Sequence, residues 1–299
     1  MLLQKRRGDP CGRPKRRAGT ESRPYGSQQN GFLGGIMVKV IVCGACGRMG
    51  KRIIDILSQD EDTELIGAIE AKGHKALGTQ VTPKVKMTDN LEKIINGAEV
   101  VIDFTNPQAS LENLEIASRF KKAMVIGTTG HTEEEKKLVV ERAKGIPLLM
   151  APNMSLGVNI LFRLVESVAR SLKGYDVEII ETHHNRKKDA PSGTAAKLGE
   201  NIAQALNLNL KEAGVYGRKG MVGPRKPQEI GMHAVRAGDI VGEHTVIFAG
   251  KGERLELTHR AHSIDCFARG AVEASKWIVK QPPGFYDMED FLGLKGSKR

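Results

Sequence analysis

The sequence predicts an α/β protein, in which a Rossmann-like, doubly wound parallel sheet domain is joined to an α+β domain with a mostly antiparallel sheet. Three observations predict this class. Between residues 37 and 153, short apolar runs alternate with stretches of helical periodicity, as in parallel sheets. The glycine-rich segment "GACGRMG" follows the first apolar run and opens a helix. After Asn153 three strand-like runs follow one another through short turns, which favours antiparallel pairing.

The first half contains five predicted strands, each a short apolar run of the kind buried on both faces of a sheet. They span 38–44, 65–70, 98–105, 123–129 and 146–153. A helix follows the first strand, with Met49, Ile53, Ile54 and Leu57 on one stripe. Two more helices are predicted near 109–120 and 132–144.

The second half begins with a long amphipathic helix and continues with strands and helices of a different order. The predicted helices span 156–173, 193–207 and 266–280, and the predicted strands span 175–184, 230–237, 240–250 and 253–261. The turns between the last three strands are too short for crossover helices, so we expect them to form an antiparallel sheet.

Charge is unevenly distributed along the 299 residues. The net charge is +11, and residues 1–36 contribute six of these charges through eight Lys/Arg and two Asp/Glu. This segment is rich in Gly, Pro and Arg and has no apolar periodicity, so we expect a disordered basic extension. An organelle transit peptide or a nucleic-acid-binding arm would share this composition. Because Met37 opens a clean strand, we expect the extension to lie outside the functional protein.

Several functional classes are disfavoured by composition. No apolar run approaches 18 residues, so we expect no membrane span. Cys43 and Cys46 have the spacing of a redox or zinc motif, but no second pair of ligands accompanies them. We therefore expect a reduced, cytoplasmic protein without a metal.

The glycine loop contains Gly44, Gly47 and Gly50, a GxxGxxG spacing rather than GxGxxG. Gly44 permits a tight turn, Gly47 lets a pyrophosphate approach the helix N-terminus, and Gly50 allows close helix–strand packing. An ordinary βα turn is the alternative, but the preceding strand and following helix favour a nucleotide site.

An acidic residue and two lysines follow the second strand. Glu70 ends that strand, where a carboxylate can hydrogen-bond an adenosine ribose. Lys72 and Lys75 come directly afterwards and can accept a 2′-phosphate. The sequence is thus compatible with NADH, NADPH or both.

Residues 181–194, "ETHHNRKKDAPSGT", concentrate hydrogen-bond donors. Ser192 is a predicted N-cap, and the N–H groups of Gly193 and Thr194 in the next turn form an anion site. The hydroxyls of Ser192 and Thr194 add donors. Lys187 and Lys188 lie just upstream, so a carboxylate would meet positive charge and a helix end together.

Two histidines precede those lysines. His183 and His184 point to opposite faces at the end of a strand, so one of them can face the site as a proton donor near neutral pH. The segment lacks carboxylates and thiols at metal-ligand spacing. A solvated basic loop is the alternative. With a dinucleotide domain in the same chain, we expect a loop that binds a small dianion and protonates it.

From Met37 to about Leu294 the chain resembles the dihydrodipicolinate reductase family of bacterial lysine and diaminopimelate biosynthesis. The pattern HHxxKxDAPSGTA is highly specific, and six other motifs occur in the same order. The motifs are "GACGRMG", "DFTNP", "GTTG", "APNMSLGVN", "ETHHNRKKDAPSGTA", "AVRAGDIVGEHTV" and "LTHRAHS".

The resemblance implies hydride transfer from NADH or NADPH to a cyclic dicarboxylate, 4-hydroxy-tetrahydrodipicolinate (dihydrodipicolinate), giving tetrahydrodipicolinate. It makes His183 the catalytic acid, assisted by Lys187, with the carboxylates held by His184, Ser192, Gly193 and Thr194. For the adenosine and phosphates it implies Gly44, Arg48, Met49, Gly50 and Glu70. For the nicotinamide side it implies Phe104, Thr105, Gly127, Thr129, Asn153 and Met154.

The resemblance also implies the domain organisation. Residues 37–153 form the dinucleotide-binding domain, completed by 265–299, and residues 154–264 form the substrate-binding and oligomerisation domain. The enzyme is then a homotetramer without nucleic-acid or membrane partners. Two positions depart from the family pattern: Met154 stands where phenylalanine is common, and Ile264 where arginine often follows "HxS".

Two other functions remain open on the residues alone. Aspartate-semialdehyde or homoserine dehydrogenases share the nucleotide domain, but the former needs a nucleophilic cysteine beside a histidine. Cys266 has no adjacent histidine in the sequence. A nicotinamide-sensing, nucleic-acid-binding regulator would use the basic arm, but the sequence shows no recognition helix or winged motif.

Overall fold

The computed structural model describes residues 37–295, so the predictions for residues 1–36 lie outside the described residues. Within these described residues the chain forms two sheets. The strands are β1 (Val38–Cys43), β2 (Thr63–Ile69), β3 (Gln80–Thr82), β4 (Val85–Thr88), β5 (Val100–Asp103), β6 (Ala123–Ile126), β7 (Pro147–Met150), β8 (Asp176–His183), β9 (Gly214–Tyr216), β10 (Ile230–Arg236), β11 (Gly242–Ala249), β12 (Arg254–Ala261) and β13 (Gly284–Tyr286). The helices are α1 (Arg48–Leu57), α2 (Leu91–Ile94), α3 (Pro107–Arg119), α4 (Glu133–Arg142), α5 (Leu156–Ser171), α6 (Gly193–Ala205), α7 (Leu210–Ala213), α8 (Asp265–Ile278) and α9 (Met288–Phe291).

The first sheet has the order β13-β7-β6-β5-β1-β2-β4-β3 and is parallel except for the β3–β4 pair. Its central strands are buried on both faces, as their continuous apolar runs predict. Helices α1 and α8 cover one face, and α2, α3 and α4 cover the other. The predicted doubly wound parallel sheet is confirmed.

The second sheet has the order β12-β11-β8-β10-β9, and α5 and α6 pack on one of its faces. Strands β11 and β12 pair antiparallel, as predicted, and β11 also pairs antiparallel with β8. The expectation that the β10 and β11 runs pair with each other is wrong, because β10 lies parallel to β8 on its other side. The connection from β10 to β11 crosses the end of β8, where His184 N–H donates to Ile240 O. A short connection can therefore skip one strand.

The chain returns to the first sheet after β12. Helix α8 packs on α1 and β6, and β13 pairs in parallel with β7. Arg52 on α1 forms a two-pronged ion pair with Asp265, with both nitrogen–oxygen distances at 2.6 Å. The exact domain limits at 153 and 264 remain predictions. Between residues 37 and 295, no helix combines the length and apolar character needed to cross a membrane.

Candidate active site

Two adjoining clefts lie at the carboxyl ends of β1, β5 and β6, the edge where parallel sheets bind ligands. They share the residues Gly47, Phe104 and Thr105. The first, about 590 Å³, is lined by Gly47, Arg48, Met49, Phe104, Thr105, Gly127, Thr128, Thr129, Pro152, Asn153, Met154, Lys187 and Phe267. The second, about 500 Å³, is lined by Gly44, Gly47, Ile69, Glu70, Ala71, Lys72, Asp89, Phe104, Thr105, Asn106, Ala109, Glu112 and Asn113.

The glycine loop needs glycine for steric reasons at two positions. Gly44 has a φ of +77°, and a Cβ there would lie 2.3 Å from the Phe104 carbonyl oxygen. A Cβ on Gly50 would lie 2.1 Å from the Gly44 carbonyl oxygen. Gly47 precedes α1, and no side chain between residues 37 and 295 caps this helix. The first-turn N–H groups therefore stay available for a pyrophosphate, so the loop fits a dinucleotide.

Glu70 is held in place by the glycine loop. Its Oε2 accepts a hydrogen bond from Cys46 N–H at 2.8 Å, and its Oε1 accepts one from Ala71 N–H at 3.0 Å. Lys72 lines the second cleft as predicted, but Lys75 is not among its lining residues. Two further carboxylates, Asp89 and Glu112, do line it. The second cleft, where the sequence predicts the adenosine, is thus richer in negative charge than the sequence suggested.

Asp103 organises the loops between the two clefts, because its hydrogen-bonding partners line both of them. Its carboxylate is fully buried and accepts hydrogen bonds from Thr105 Oγ1 at 2.9 Å, Thr128 Oγ1 at 2.6 Å and Asn113 Nδ2 at 2.7 Å. The Thr105 N–H also donates to Thr128 Oγ1. Sequence reasoning did not single out Asp103, although a carboxylate ending an apolar strand was a usable signal.

The tip of the Phe104 ring packs against Gly127 in the same region. A Cβ on Gly127 would lie 2.1 Å from the Phe104 ring, so glycine is needed for this contact. Met154 is 2% exposed, and a Cβ on Gly270 of α8 would lie 1.7 Å from the Met154 carbonyl oxygen. Little of the Met154 side chain is therefore exposed to the cleft, and α8 packs against the Met154 backbone at Gly270.

The start of α6 is positioned by buried contacts. Ser192 is the N-cap, as predicted, because its Oγ accepts from Ala195 N–H at 3.2 Å. Its side chain is buried, and Oγ lies 3.1 Å from His244 Nε2, so the hydroxyl is engaged inside the fold. A Cβ on Gly193 would meet no atom within 4 Å. The first turn of α6 is therefore open at Gly193.

Asn153 links the two halves of the site. Its Nδ2 donates to Thr194 Oγ1 at 3.2 Å, which joins the loop after β7 to the first turn of α6. Its Oδ1 accepts from Ser155 N–H at 2.9 Å, which fixes the amide orientation. The loop predicted to lie on the nicotinamide side is thus held in contact with the predicted anion site.

His183 is 8% exposed and lies beside a carboxylate. Its Nδ1 is 2.6 Å from Glu181 Oε2, and its ring packs edge-on to His244 with 5.2 Å between centroids. Burial lowers the pKa of His183, and the contact with Glu181 opposes this only in part. Burial, reinforced by His183, lowers the pKa of His244 to about 3, so His244 is neutral at physiological pH.

Lys187 is the residue of this loop that reaches the first cleft. It lines that cleft together with Gly127, and its Nζ lies 2.9 Å from Asp189 Oδ1. His183 and His184 are not among the lining residues. His184 Nδ1 is buried and, within the described part of the chain, has no hydrogen-bonding partner.

The sequence-predicted residues therefore fall into three groups. The first cleft brings together Arg48, Met49, Phe104, Thr105, Gly127, Thr129, Asn153, Met154 and Lys187, and the second adds Gly44 and Glu70. Gly50, His183, His184, Ser192, Gly193 and Thr194 line neither cleft. Sequence reasoning missed Glu181, Arg236 and His244, which surround His183. Of these, Glu181 was detectable, because it shares a strand face with His183.

Comparison with known proteins shows which family the chain belongs to. The family model described as "Dihydrodipicolinate reductase, N-terminus" matches residues 38–154, and the family model described as "Dihydrodipicolinate reductase, C-terminus" matches residues 157–292. The chain belongs to the dihydrodipicolinate reductase family. The predicted family and the predicted enzyme class, a reductase that uses a nicotinamide dinucleotide, are confirmed.

Individual relatives of the dihydrodipicolinate reductase family cover the same part of the chain. The 4-hydroxy-tetrahydrodipicolinate reductase of Geotalea daltonii is 51% identical over 267 residues, covering 87% of this chain and all of that protein. The Geobacter sulfurreducens protein of the same name is 49% identical with the same coverage. A dipicolinate-bound dihydrodipicolinate reductase from Paenisporosarcina sp. TG-14 shares the fold, with a TM-score of 0.71, 24% identity and coverage of 86% of this chain and 99% of that one.

Proposed function

We propose that the chain catalyses its family's reaction, the reduction of 4-hydroxy-tetrahydrodipicolinate to tetrahydrodipicolinate, in the cleft between the glycine loop and the 181–194 loop. One observation carries this proposal. Lys187, from the loop predicted to bind a dianion, lines the same cleft as Phe104 and Gly127, from the loops predicted to hold the nicotinamide. A dicarboxylate bound at this loop would therefore lie beside the cofactor.

The cofactor, NADH or NADPH, supplies the hydride when bound. The uncapped start of α1 would hold its pyrophosphate, with Arg48 and Met49 along the cleft wall. Glu70 would accept from an adenosine ribose hydroxyl. Because the second cleft contains three carboxylates and one lysine, we propose that both cofactors bind and that NADH is favoured over NADPH.

The substrate's carboxylates would bind at the first turn of α6. The open N–H groups of Gly193 and Thr194 and the ammonium group of Lys187 supply positive electrostatic potential there. His184 would add a further donor. Ser192 would support this site through its cap and its backbone, since its hydroxyl is already engaged with His244.

The 4-hydroxyl group of the substrate would leave as water, the unsaturated ring that results would accept the hydride of the cofactor, and His183 would supply the proton that completes the reduction. Its Nδ1 faces Glu181, so Nε2 is the nitrogen left to face the substrate. The lowered pKa makes the protonated ring a ready donor, and a bound dianion would favour protonation. Lys187 would assist by stabilising the charge that develops on the substrate.

The assembly proposed is a cytoplasmic homotetramer built through the second sheet, without nucleic-acid or membrane partners. Helices α5 and α6 cover one face of that sheet. The opposite face carries half-buried or exposed apolar side chains, among them Ile180, Ile247 and Val235, which is 42% exposed. Self-association would bury this face.

The decisive assay uses the freshly made product of dihydrodipicolinate synthase as substrate. We expect loss of cofactor absorbance with both NADH and NADPH, and tetrahydrodipicolinate as the product. Oxidation of either cofactor without this product, or no oxidation at all, would refute the proposed reaction. A matched reaction without the synthase controls for background oxidation.

A further inference from the structure

The carboxylate of Glu181 lies at the centre of the substrate-side loops and is 1% exposed. Its Oε2 is 2.6 Å from His183 Nδ1 and accepts from Arg236 Nη1 at 2.7 Å. Its Oε1 accepts from Arg236 Nη2 at 2.8 Å and from Ser192 N–H at 2.9 Å. The side-chain contacts follow from strand register, because Arg236 pairs with His183 across β10 and β8, and Glu181 lies on the same face two residues earlier.

These contacts determine which nitrogen of His183 carries a proton. Burial alone would raise the pKa of Glu181, but hydrogen bonds from Arg236, His183 and the Ser192 amide lower it overall. An ionised carboxylate only accepts, so His183 must keep a hydrogen on Nδ1 in both of its protonation states. Nε2 is then the nitrogen that gains and loses a proton.

The same pair of side chains reaches the lysine of the loop. Arg236 Nη2 donates to the Asp189 backbone oxygen at 2.6 Å, and the Asp189 carboxylate is 2.9 Å from Lys187 Nζ. Through the Ser192 amide, Glu181 also fixes the start of α6. One carboxylate–guanidinium pair therefore contacts the acid, the lysine turn and the anion-binding helix.

The charges around His183 are balanced by this pair. Glu181 on β8, Arg236 on β10, Lys187 on the loop and the neutral His244 on β11 all face the ring. Glu181 favours the imidazolium, whereas Lys187 and Arg236 disfavour it. Removing Glu181 would leave the two cations unopposed, so the imidazolium would be harder to form.

We infer that Glu181 and Arg236 are positioning residues for the proposed reaction: they hold His183 in its Nδ1–H form with Nε2 toward the substrate, and they hold the Lys187 turn beside it. This inference rests on the proposed role of His183 as the acid. Neither residue lines the cofactor cleft, so neither is expected to affect NADH binding.

The test compares Glu181→Gln with Glu178→Gln. Glu178 is a matched control on the same strand but the opposite face. It accepts a two-pronged contact from Arg218 at 2.9 Å on each oxygen and lies 2.7 Å from His233 Nε2. We expect Glu181→Gln to lower kcat by about a hundredfold, within the range for loss of acid catalysis, with little change in KM or in NADH affinity. Glu178→Gln should keep kcat, once sedimentation shows an unchanged assembly.

Two readouts separate positioning from a structural role. In Glu181→Gln the fall of kcat/KM with rising pH should begin at lower pH than in the wild type. Nitrogen-15 NMR of histidine-labelled protein should show the Nδ1–H form of His183 in the wild type and its loss in the variant. The chain has eight histidines, and a His183→Gln spectrum assigns the signal. An unchanged tautomer with unchanged kcat would overturn the inference.

A double substitution distinguishes this inference from the proposed function. If Glu181 acts through His183, Glu181→Gln should cost little further activity in a His183→Ala background. Full activity of His183→Ala would refute the acid assignment itself. A large His183→Ala effect with an additive Glu181→Gln effect would overturn only the positioning role. If Glu181→Gln does not fold, Glu181→Gln/Arg236→Gln removes both charges, and the same outcomes apply.

Discussion

Substituting alanine for Gly50 tests the glycine loop most directly. Gly50 lies in the first turn of α1 and has an ordinary helical conformation, so alanine brings no backbone strain there. The added Cβ would instead lie 2.1 Å from the Gly44 carbonyl oxygen and 2.8 Å from Ala45 Cα. Both are backbone atoms and cannot rotate away. The helix start must therefore move away from the turn that is proposed to hold the pyrophosphate.

The size of the effect follows from the geometry. Relieving the contact requires a displacement of about 1 Å, and overpacking of this kind costs about 1–3 kcal/mol of folding free energy. For a domain of this size that corresponds to a fall in Tm of about 4–8 °C for a cost of about 2 kcal/mol. A shift of the N–H groups should weaken NADH binding at least about tenfold, or about 1.4 kcal/mol.

Gly145→Ala is the matched control for this prediction. Its Cβ would meet only the Arg142 carbonyl oxygen, at 3.7 Å, an ordinary contact. Thermal unfolding with and without NADH, together with calorimetric titration, measures both effects. If Gly50→Ala matches Gly145→Ala in Tm and in NADH affinity, the steric argument and the placement of the pyrophosphate at α1 are both wrong.

The remaining predictions concern the reaction and the charges. His183→Ala should lower kcat by about 10²–10⁴-fold with a smaller change in KM, whereas Lys187→Ala should lower kcat and raise KM; steady-state kinetics decides, and near wild-type turnover by both would contradict the site. Because an acid must be protonated, kcat/KM should fall as pH rises through the lowered pKa of His183, and this limb should be absent in His183→Ala; a profile that rises with pH instead would rule this out. NADH should be preferred over NADPH in kcat/KM, by less than about a thousandfold or about 4 kcal/mol. A larger ratio, or a preference for NADPH, would contradict the cofactor preference proposed from the charges that line the second cleft. Burial alone would raise the pKa of Glu178, but hydrogen bonds from Arg218, His233 and Arg225 outweigh burial and hold this pKa at about 2. The ionised carboxylate therefore stabilises the folded state by an amount on the order of 2 kcal/mol after allowance for partial exposure. This stabilisation is complete above the pKa of Glu178 in the unfolded chain and is lost as pH falls toward 2. The free energy of unfolding, measured with urea as pH falls below that unfolded pKa, should therefore decrease more in the wild type than in Glu178→Gln. Equal decreases would show that the contacts of the Glu178 carboxylate contribute nothing to stability.

Five strands of the first sheet were predictable because they contain short apolar runs, such as Val38–Cys43 or Ala123–Ile126. Strands β3, β4 and β13 were missed, since each has only three or four residues and lies at a sheet edge or next to one. A strand at or near an edge is partly exposed to solvent, so its sequence contains fewer apolar residues and is harder to recognise as a strand. Pairing partners were harder still, because nothing local in Ile230–Arg236 says that it adds beside β8.

The same limit applies to the site. The loop chemistry of 181–194 was visible because its donors are consecutive in sequence, and its N-cap at Ser192 was confirmed. Arg236 was not visible, because it meets Glu181 only through the pairing of β10 with β8, 55 residues away. Residues brought in by sheet order carry no local pattern that marks them.

The two halves of the proposed site rely on different kinds of interaction, so substitutions in each half should have different effects on folding, binding and catalysis. The cofactor half relies on backbone N–H groups and close backbone contacts, so changes at Gly44 or Gly50 act on folding and NADH affinity together. The substrate half relies on buried charges around Glu181, whose loss should act first on proton delivery. Because Asn153 joins the halves through Thr194, replacing Asn153 with alanine should perturb both KM for substrate and the geometry of hydride transfer while leaving each half folded.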